Sequence, residues 1–191
     1  MKSCVELRDL VIETPRLLLR PLQRQDFEAW AAMMADEETT RFLGGVQDRS
    51  IAWRSFMCVA GAWHLEGFAM FSVVEKSTGR WIGRVGPWRP EGWPGTEVGW
   101  TICRDRWGRG YATEAATVAI DWAFAELGWT DVIHAIPPDN VMSQGVARRL
   151  GSVNRGPTRM PPPHTNVPVD VWGQTRAEWV SRRPPARQER V

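Results

Sequence analysis

The chain has 191 residues, enough for one ordinary domain and too few for two well-cored ones. Hydrophobic residues at 43% and charged residues at 24% exclude a disordered or fibrous composition, and no apolar run reaches the ~18 residues of a membrane span. The formal charge of +2 hides an uneven distribution: Arg182, Arg183, Arg187 and Arg190 against Glu189 put about +3 in the last ten residues and leave a near-neutral body without the electrostatic footprint of a nucleic-acid binder.

The start, Met1-Lys2-Ser3-Cys4-Val5-Glu6, is charged where a signal peptide needs an apolar stretch, so a soluble cytoplasmic protein without membrane or nucleic-acid partners is expected. Residues 1–181 are expected to form a single domain, and 182–191 a disordered basic tail. Cys4, Cys58 and Cys103 are odd in number, far apart and free of CxxC spacing; they read as reduced thiols, and no metal site is expected. Twelve tryptophans beside one tyrosine read as core filler.

Val11 to Arg20 reads as a strand entered and left at prolines, Pro15 and Pro21. Helical spacing predicts helices over about 24–35, 37–43 and 49–63, the second stopped by Gly44-Gly45. The period then shortens: extended runs at 68–76, 80–88 and 96–103 are joined by turns too short for a crossover, which predicts antiparallel neighbours. Tyr111 to Leu127 carries a helical face closed by Gly128, Asp131 to Ile136 is a β-branched strand, and Asn140 to Leu150 is a helix closed by Gly151. Strand, loop, helix, strand in one sheet implies a parallel crossover, so the sheet is mixed. Pro161-Pro162-Pro163 falls in an irregular loop, and 167–174 is a candidate terminal strand.

The chemistry concentrates in Trp107-Gly108-Arg109-Gly110-Tyr111-Ala112-Thr113-Glu114-Ala115. Glycines between a strand and a helix start let the backbone approach a ligand, and the first helical N–H groups lack internal partners, an arrangement that binds phosphate. A P-loop is excluded because Gly-Lys-Ser/Thr is absent. A dinucleotide fingerprint fails at Thr113, where a small residue is required, and on the preceding antiparallel strands.

With Ile12-Glu13-Thr14-Pro15-Arg16-Leu17-Leu18-Leu19-Arg20-Pro21, Arg41-Phe42-Leu43-Gly44-Gly45, then Asn140, Ser143 and Leu150-Gly151 in order, the segment from Val11 to Trp179 resembles the GNAT acyl-CoA N-acetyltransferases, in the branch of the ribosomal-protein alanine acetyltransferases. The resemblance implies an α/β fold, a mostly antiparallel central sheet with a parallel crossover, flanked by helices. It implies acetyl-CoA as cosubstrate and a primary amine, a protein N-terminus or a small molecule, as acceptor, with no metal, in a monomer or homodimer. The coenzyme A pyrophosphate would lie on the loop Trp107-Gly108 and the amides of Arg109, Gly110, Tyr111, Ala112 and Thr113, and its arm along Thr101 and Ile102. Asn140 and Ser143 would meet the arm from the far side; by itself Asn140 reads as a helix cap after Pro137-Pro138.

Amine acetylation needs a neutral amine, a polarised thioester and a proton for the thiolate. By family position Glu97 is the candidate base, against an alternative as a solvent-facing strand acid, and Ser143 is the candidate proton donor. His134, mid-strand, reads as a core residue. Trp107 replaces the usual first residue of the phosphate loop, Ala147 stands where many members carry a tyrosine, and Gly151-Ser152 replaces Gly-Phe. Those last two departures keep open an alternative, a catalytically degenerate domain that binds acyl-CoA as a sensor or structural module.

Overall fold

The computed structural model describes residues 9–162 and 164–182. Cys4 and the tail beyond Arg182 lie outside the described residues. Strands β1 (Ile12–Glu13) and β2 (Leu17–Arg20) precede helices α1 (Phe27–Met34), α2 (Glu37–Thr40) and α3 (Arg49–Leu65). Strands β3 (Phe71–Glu75), β4 (Arg80–Trp88) and β5 (Glu97–Ile102) follow, then α4 (Tyr111–Glu126), β6 (Asp131–Ile136), α5 (Val141–Arg149), β7 (Val153–Thr158), β8 (Val169–Thr175) and α6 (Arg176–Ser181). The eight strands form one sheet in the order β1-β2-β3-β4-β5-β6-β8-β7. Only β5 and β6 run parallel; every other neighbouring pair is antiparallel. This is the expected mixed α/β fold.

Two departures from the sequence reading have identifiable physical causes. The single strand expected over Val11–Arg20 is a hairpin, with Ile12 opposite Leu19. Its corner is Thr14-Pro15: Pro15 has no N–H for a ladder, and Thr14 Oγ1 accepts the Leu17 N–H at 2.8 Å. Strand β7 was not expected, and Gly156 and Pro157 lie within it. It is tolerated as an edge strand that pairs only with β8, and its register slips between Asn154 and Pro157.

Helix α4 packs on β4 and β5, with Trp122 edge-on to Phe71 at 5.2 Å. Helix α1 covers the alternate side chains of the sheet, where Trp30 lies beneath the Arg84 guanidinium at 4.5 Å and beside Trp81. Phe27, Trp53 and Phe56 extend this aromatic layer between α1 and α3. Seven of the twelve tryptophans are buried, so the core-filler reading holds for most of them. Trp93 and Trp100 are exceptions and belong to the site.

Candidate active site

The chain leaves β5 through a short 3-10 turn, Arg104–Arg106, and passes Gly108 (φ +72°) and Gly110 (φ +78°) into α4. Both glycines sit in the left-handed region, which L side chains rarely adopt. Gly110 is the N-cap of α4 and brings no side chain to satisfy the first-turn amides, which therefore remain available to an anion at the positive end of a 16-residue helix. Trp107 closes the turn on itself, its indole nitrogen donating to the Ile102 carbonyl at 2.7 Å.

A cavity of about 860 Å³ opens at this loop, within the range of small-molecule sites. Its floor is Trp100, Thr101, Ile102, Trp107, Gly108 and the helix start from Gly110 to Glu114; its far wall is Asp139–Ser143, Gly145, Val146 and Arg149 of α5, and its mouth is bounded by Glu38, Thr39 and Arg41–Leu43. Ten of the expected ligand-binding residues line it: Thr101, Ile102, Trp107, Gly108, Gly110, Tyr111, Ala112, Thr113, Asn140 and Ser143.

The geometry adds detail at three of the expected residues. Arg109 is exposed and lies outside the cavity lining; its carbonyl is bonded to Arg16. Tyr111 turns its side chain inward, its hydroxyl donating to Glu75 at 2.7 Å, so what it offers a ligand there is the backbone. That bond, followed by those of Thr78 and Arg106, holds the Glu75 carboxyl down at about 2. Glu97 is not a solvent-facing acid, being only 7% exposed, and it does not line the cavity either.

Glu97 instead marks the fork between β5 and β6. Their parallel pairing ends with Glu97 opposite Ile133, where the Ile133 N–H donates to the Thr96 carbonyl at 2.9 Å. A continued parallel ladder would next pair the Ala135 N–H with the Val98 carbonyl. Side chains intercept both groups: Glu97 Oε1 accepts from Ala135 N at 3.2 Å, and His134 Nδ1 lies 2.7 Å from the Val98 oxygen. The carbonyl can only accept, so His134 carries its proton on Nδ1, and Nε2 accepts from the Ser152 hydroxyl at 2.9 Å. Gln174 then donates to Ser152, and Arg182 to Gln174. Sequence reading took Gly151-Ser152 as a loss; Ser152 instead anchors the fork histidine.

Burial governs both titrations. It pushes Glu97 up to about 7, against bonds from Ala135 and Trp93 Nε1 (2.5 Å) and the charge of Arg84. It pushes His134 down to about 4, so the ring is neutral. At this end of β5 Trp93 faces His164 edge-on at 6.5 Å.

On the far wall Asn140 caps α5, its Oδ1 accepting from the Ser143 N–H at 3.1 Å, and it also lines the cavity. The Ser143 hydroxyl accepts from Trp100 Nε1 at 3.3 Å. Trp100 was missed as a site residue; its tilted contact with His134 at 4.7 Å has no local sequence signal. Ala147 is fully buried against Ile136 and Trp172, with Trp100 packed on the same cluster.

A family profile described as an acetyltransferase (GNAT) domain matches residues 16–153. The chain belongs to the GNAT acetyltransferases. Among solved structures of the family, an acetyltransferase from Agrobacterium tumefaciens str. C58 is 31% identical, with 86% of this chain and 94% of that one covered and a TM-score of 0.75. The uncharacterized N-acetyltransferase YoaA of Bacillus subtilis is 25% identical over 164 residues, 84% of this chain and 93% of its own length. The ribosomal-protein-S5-alanine acetyltransferase of Vibrio fischeri, at 19% identity and a TM-score of 0.68 over 92% of this chain and 100% of that one, shares the fold.

As a GNAT protein the chain has acetyl-CoA-dependent acetyl transfer as its general activity, with a coenzyme A thioester and an amine acceptor as its general partners. Among the described residues no helix is long and apolar enough to cross a membrane, and no group of three or more His, Cys, Asp or Glu is placed to hold a metal.

Proposed function

We propose that this GNAT domain transfers the acetyl group of acetyl-CoA to a primary amine, a protein N-terminus or a small amine, by direct attack of the amine on the thioester. The observation that carries this reading is the cavity that joins the uncapped start of α4 to β5 at Trp100, Thr101 and Ile102 and to Ser143 on α5. The amides from Gly110 to Thr113 would hold the pyrophosphate, and the edge of β5 at Thr101 and Ile102 the pantetheine arm. Bound there, acetyl-CoA supplies the activated acyl group.

Glu97 takes the proton of the attacking amine, through an intervening water because both its oxygens face Ala135 and Trp93 rather than the cavity. A carboxyl held at about 7 is half ionised at neutral pH and is matched to that task. The amine nitrogen bonds to the acyl carbon and the carbon–sulfur bond breaks; Ser143 relays a proton to the sulfur while its hydroxyl takes one back from water, so that the proton the amine gives up balances the one the thiol gains. An α-amine, roughly a tenth neutral at pH 7, asks less of the base than a lysine at about a thousandth. This favours a protein N-terminus, in line with the resemblance to the ribosomal-protein alanine acetyltransferases. The same reading puts the protein in the cytoplasm as a monomer or homodimer.

Coenzyme A release from acetyl-CoA, measured against a panel of small amines and N-terminal peptides, tests this. Acceptor-dependent release is the expected result. Tight acetyl-CoA binding without turnover on any acceptor, in that panel and in an unbiased screen with labelled acetyl-CoA, would favour the degenerate binding module instead.

A further inference from the structure

The Thr14-Pro15-Arg16 corner of the first hairpin has no part in the chemistry above, yet it reaches the phosphate loop from 93 residues away. Arg16 Nη1 donates to the Arg109 carbonyl at 2.9 Å, its Nε to Glu114 Oε2 at 2.6 Å, and its own backbone N–H to Glu114 Oε1 at 3.0 Å. The guanidinium also lies 4.5 Å from the centroid of the Tyr111 ring. Thr14 Oγ1 completes the junction with a 2.6 Å bond to Glu114 Oε1.

Two physical consequences follow for an anion at this loop. In a trans peptide the C=O and the following N–H point in opposite directions. Tethering the Arg109 carbonyl to Arg16 therefore aims the Gly110 N–H away from Arg16, and Gly110, in the left-handed region, has no side chain to hold that peptide itself. Glu114 lies in the first turn of α4 and lines the cavity. Burial raises its carboxyl, but the bonds from Thr14 and Arg16 win and hold it below the ordinary range, so it is an anion where a pyrophosphate must bind. The ion pair with Arg16, at 2.5 Å, offsets that charge.

We propose that Arg16 is a positioning residue for coenzyme A: it orients the Arg109–Gly110 peptide toward the pyrophosphate and cancels the Glu114 charge, without lining the cavity itself. The inference rests on the proposed pyrophosphate site at Gly110–Thr113. It gives the Thr-Pro-Arg motif a role at a site remote in sequence, and it makes that role separable into a geometric part and an electrostatic part.

The test is calorimetric titration of the full chain with coenzyme A, alongside steady-state kinetics. Arg16→Ala is expected to weaken coenzyme A binding at least about tenfold, raising KM for acetyl-CoA while kcat falls less than about threefold. Adding Glu114→Gln to Arg16→Ala is expected to recover about threefold of the affinity, because the unpaired carboxylate is gone. Should Arg16→Ala fail to fold, Arg16→Lys, which keeps the charge but cannot span both the carbonyl and the carboxylate, is expected to show an intermediate loss. A folded Arg16→Ala (or, in its place, Arg16→Lys) that binds coenzyme A within twofold of the native chain overturns the inference. No binding by the native chain would instead overturn the pyrophosphate site on which it rests.

Discussion

Trp100 on β5 donates its indole N–H to the hydroxyl of Ser143 on α5, 3.3 Å away across the cavity wall. The bond occupies a lone pair of the serine oxygen and leaves its O–H proton free to point toward a leaving sulfur. A serine hydroxyl is a weaker acid than a phenol, whose pKa is ~10, while a thiolate with a conjugate acid near ~8.5 leaves without full protonation. Ser143→Ala should therefore lower kcat by about tenfold, with acetyl-CoA affinity intact, by steady-state kinetics. A loss beyond about a thousandfold would make Ser143 an essential acid.

Ala147 answers what became of the tyrosine that many relatives carry at this place. It is fully buried among Ile136 and Trp172, and Trp100 fills the adjoining space. Ala147→Tyr should give no gain in kcat and should destabilise the fold by about 1–3 kcal/mol through overpacking. Denaturant unfolding beside kinetics checks both; a faster enzyme of unchanged stability would show that the space is there.

Gly110 has φ +78° and an open cavity side, where a Cβ would meet only Arg16 Nη2 at 3.6 Å. A valine there is strained in its backbone and lies where the pyrophosphate must approach the amides. Gly110→Val is expected to remain folded by circular dichroism and to lose coenzyme A binding in calorimetry. Unchanged affinity in the folded variant would remove the phosphate site from this loop.

For Glu97 the expected signature is kinetic. Glu97→Gln should keep acetyl-CoA affinity, lower kcat by roughly 10²-fold, and abolish an acidic limb centred where the buried carboxyl titrates, at about 7. Near-normal kcat with the same limb would confine Glu97 to holding the fork at Ala135.

The two fork residues also oppose each other in the pH dependence of stability. His134 is held at about 4 against an ordinary 6.5, so between these values the unfolded chain binds the extra proton and stability falls as pH falls. Glu97, raised from 4.5 to about 7, binds its proton more tightly in the folded chain, so stability falls as pH rises through that window. Their contributions cancel between roughly 4.5 and 6.5. In urea titrations Glu97→Gln should lose stability below pH 6.5 with a slope of up to about 1.4 kcal/mol per pH unit relative to the native chain. His134→Asn should show the opposite slope, losing stability as pH rises toward 7. Parallel curves for all three proteins would refute the assignment.

What the sequence determined by itself is what short-range chemistry dictates. Gly108 and Gly110 before a helix, the Asn140 cap, and the period changes that bound β4 and β6 depend on neighbouring φ/ψ preferences and hydrogen bonds within a few residues. The tertiary structure decided everything that depends on partners distant in the chain. The burial of Glu97 comes from its neighbours across the sheet, the orientation of Ser143 from Trp100 43 residues earlier, and the charge balance of the phosphate loop from Arg16 in another hairpin. Strand β7 exists because β8 presents it an open edge, which Gly156-Pro157 cannot announce locally. Ladder hydrogen bonds and desolvation are properties of the assembled sheet, and no window of the chain contains both of their participants.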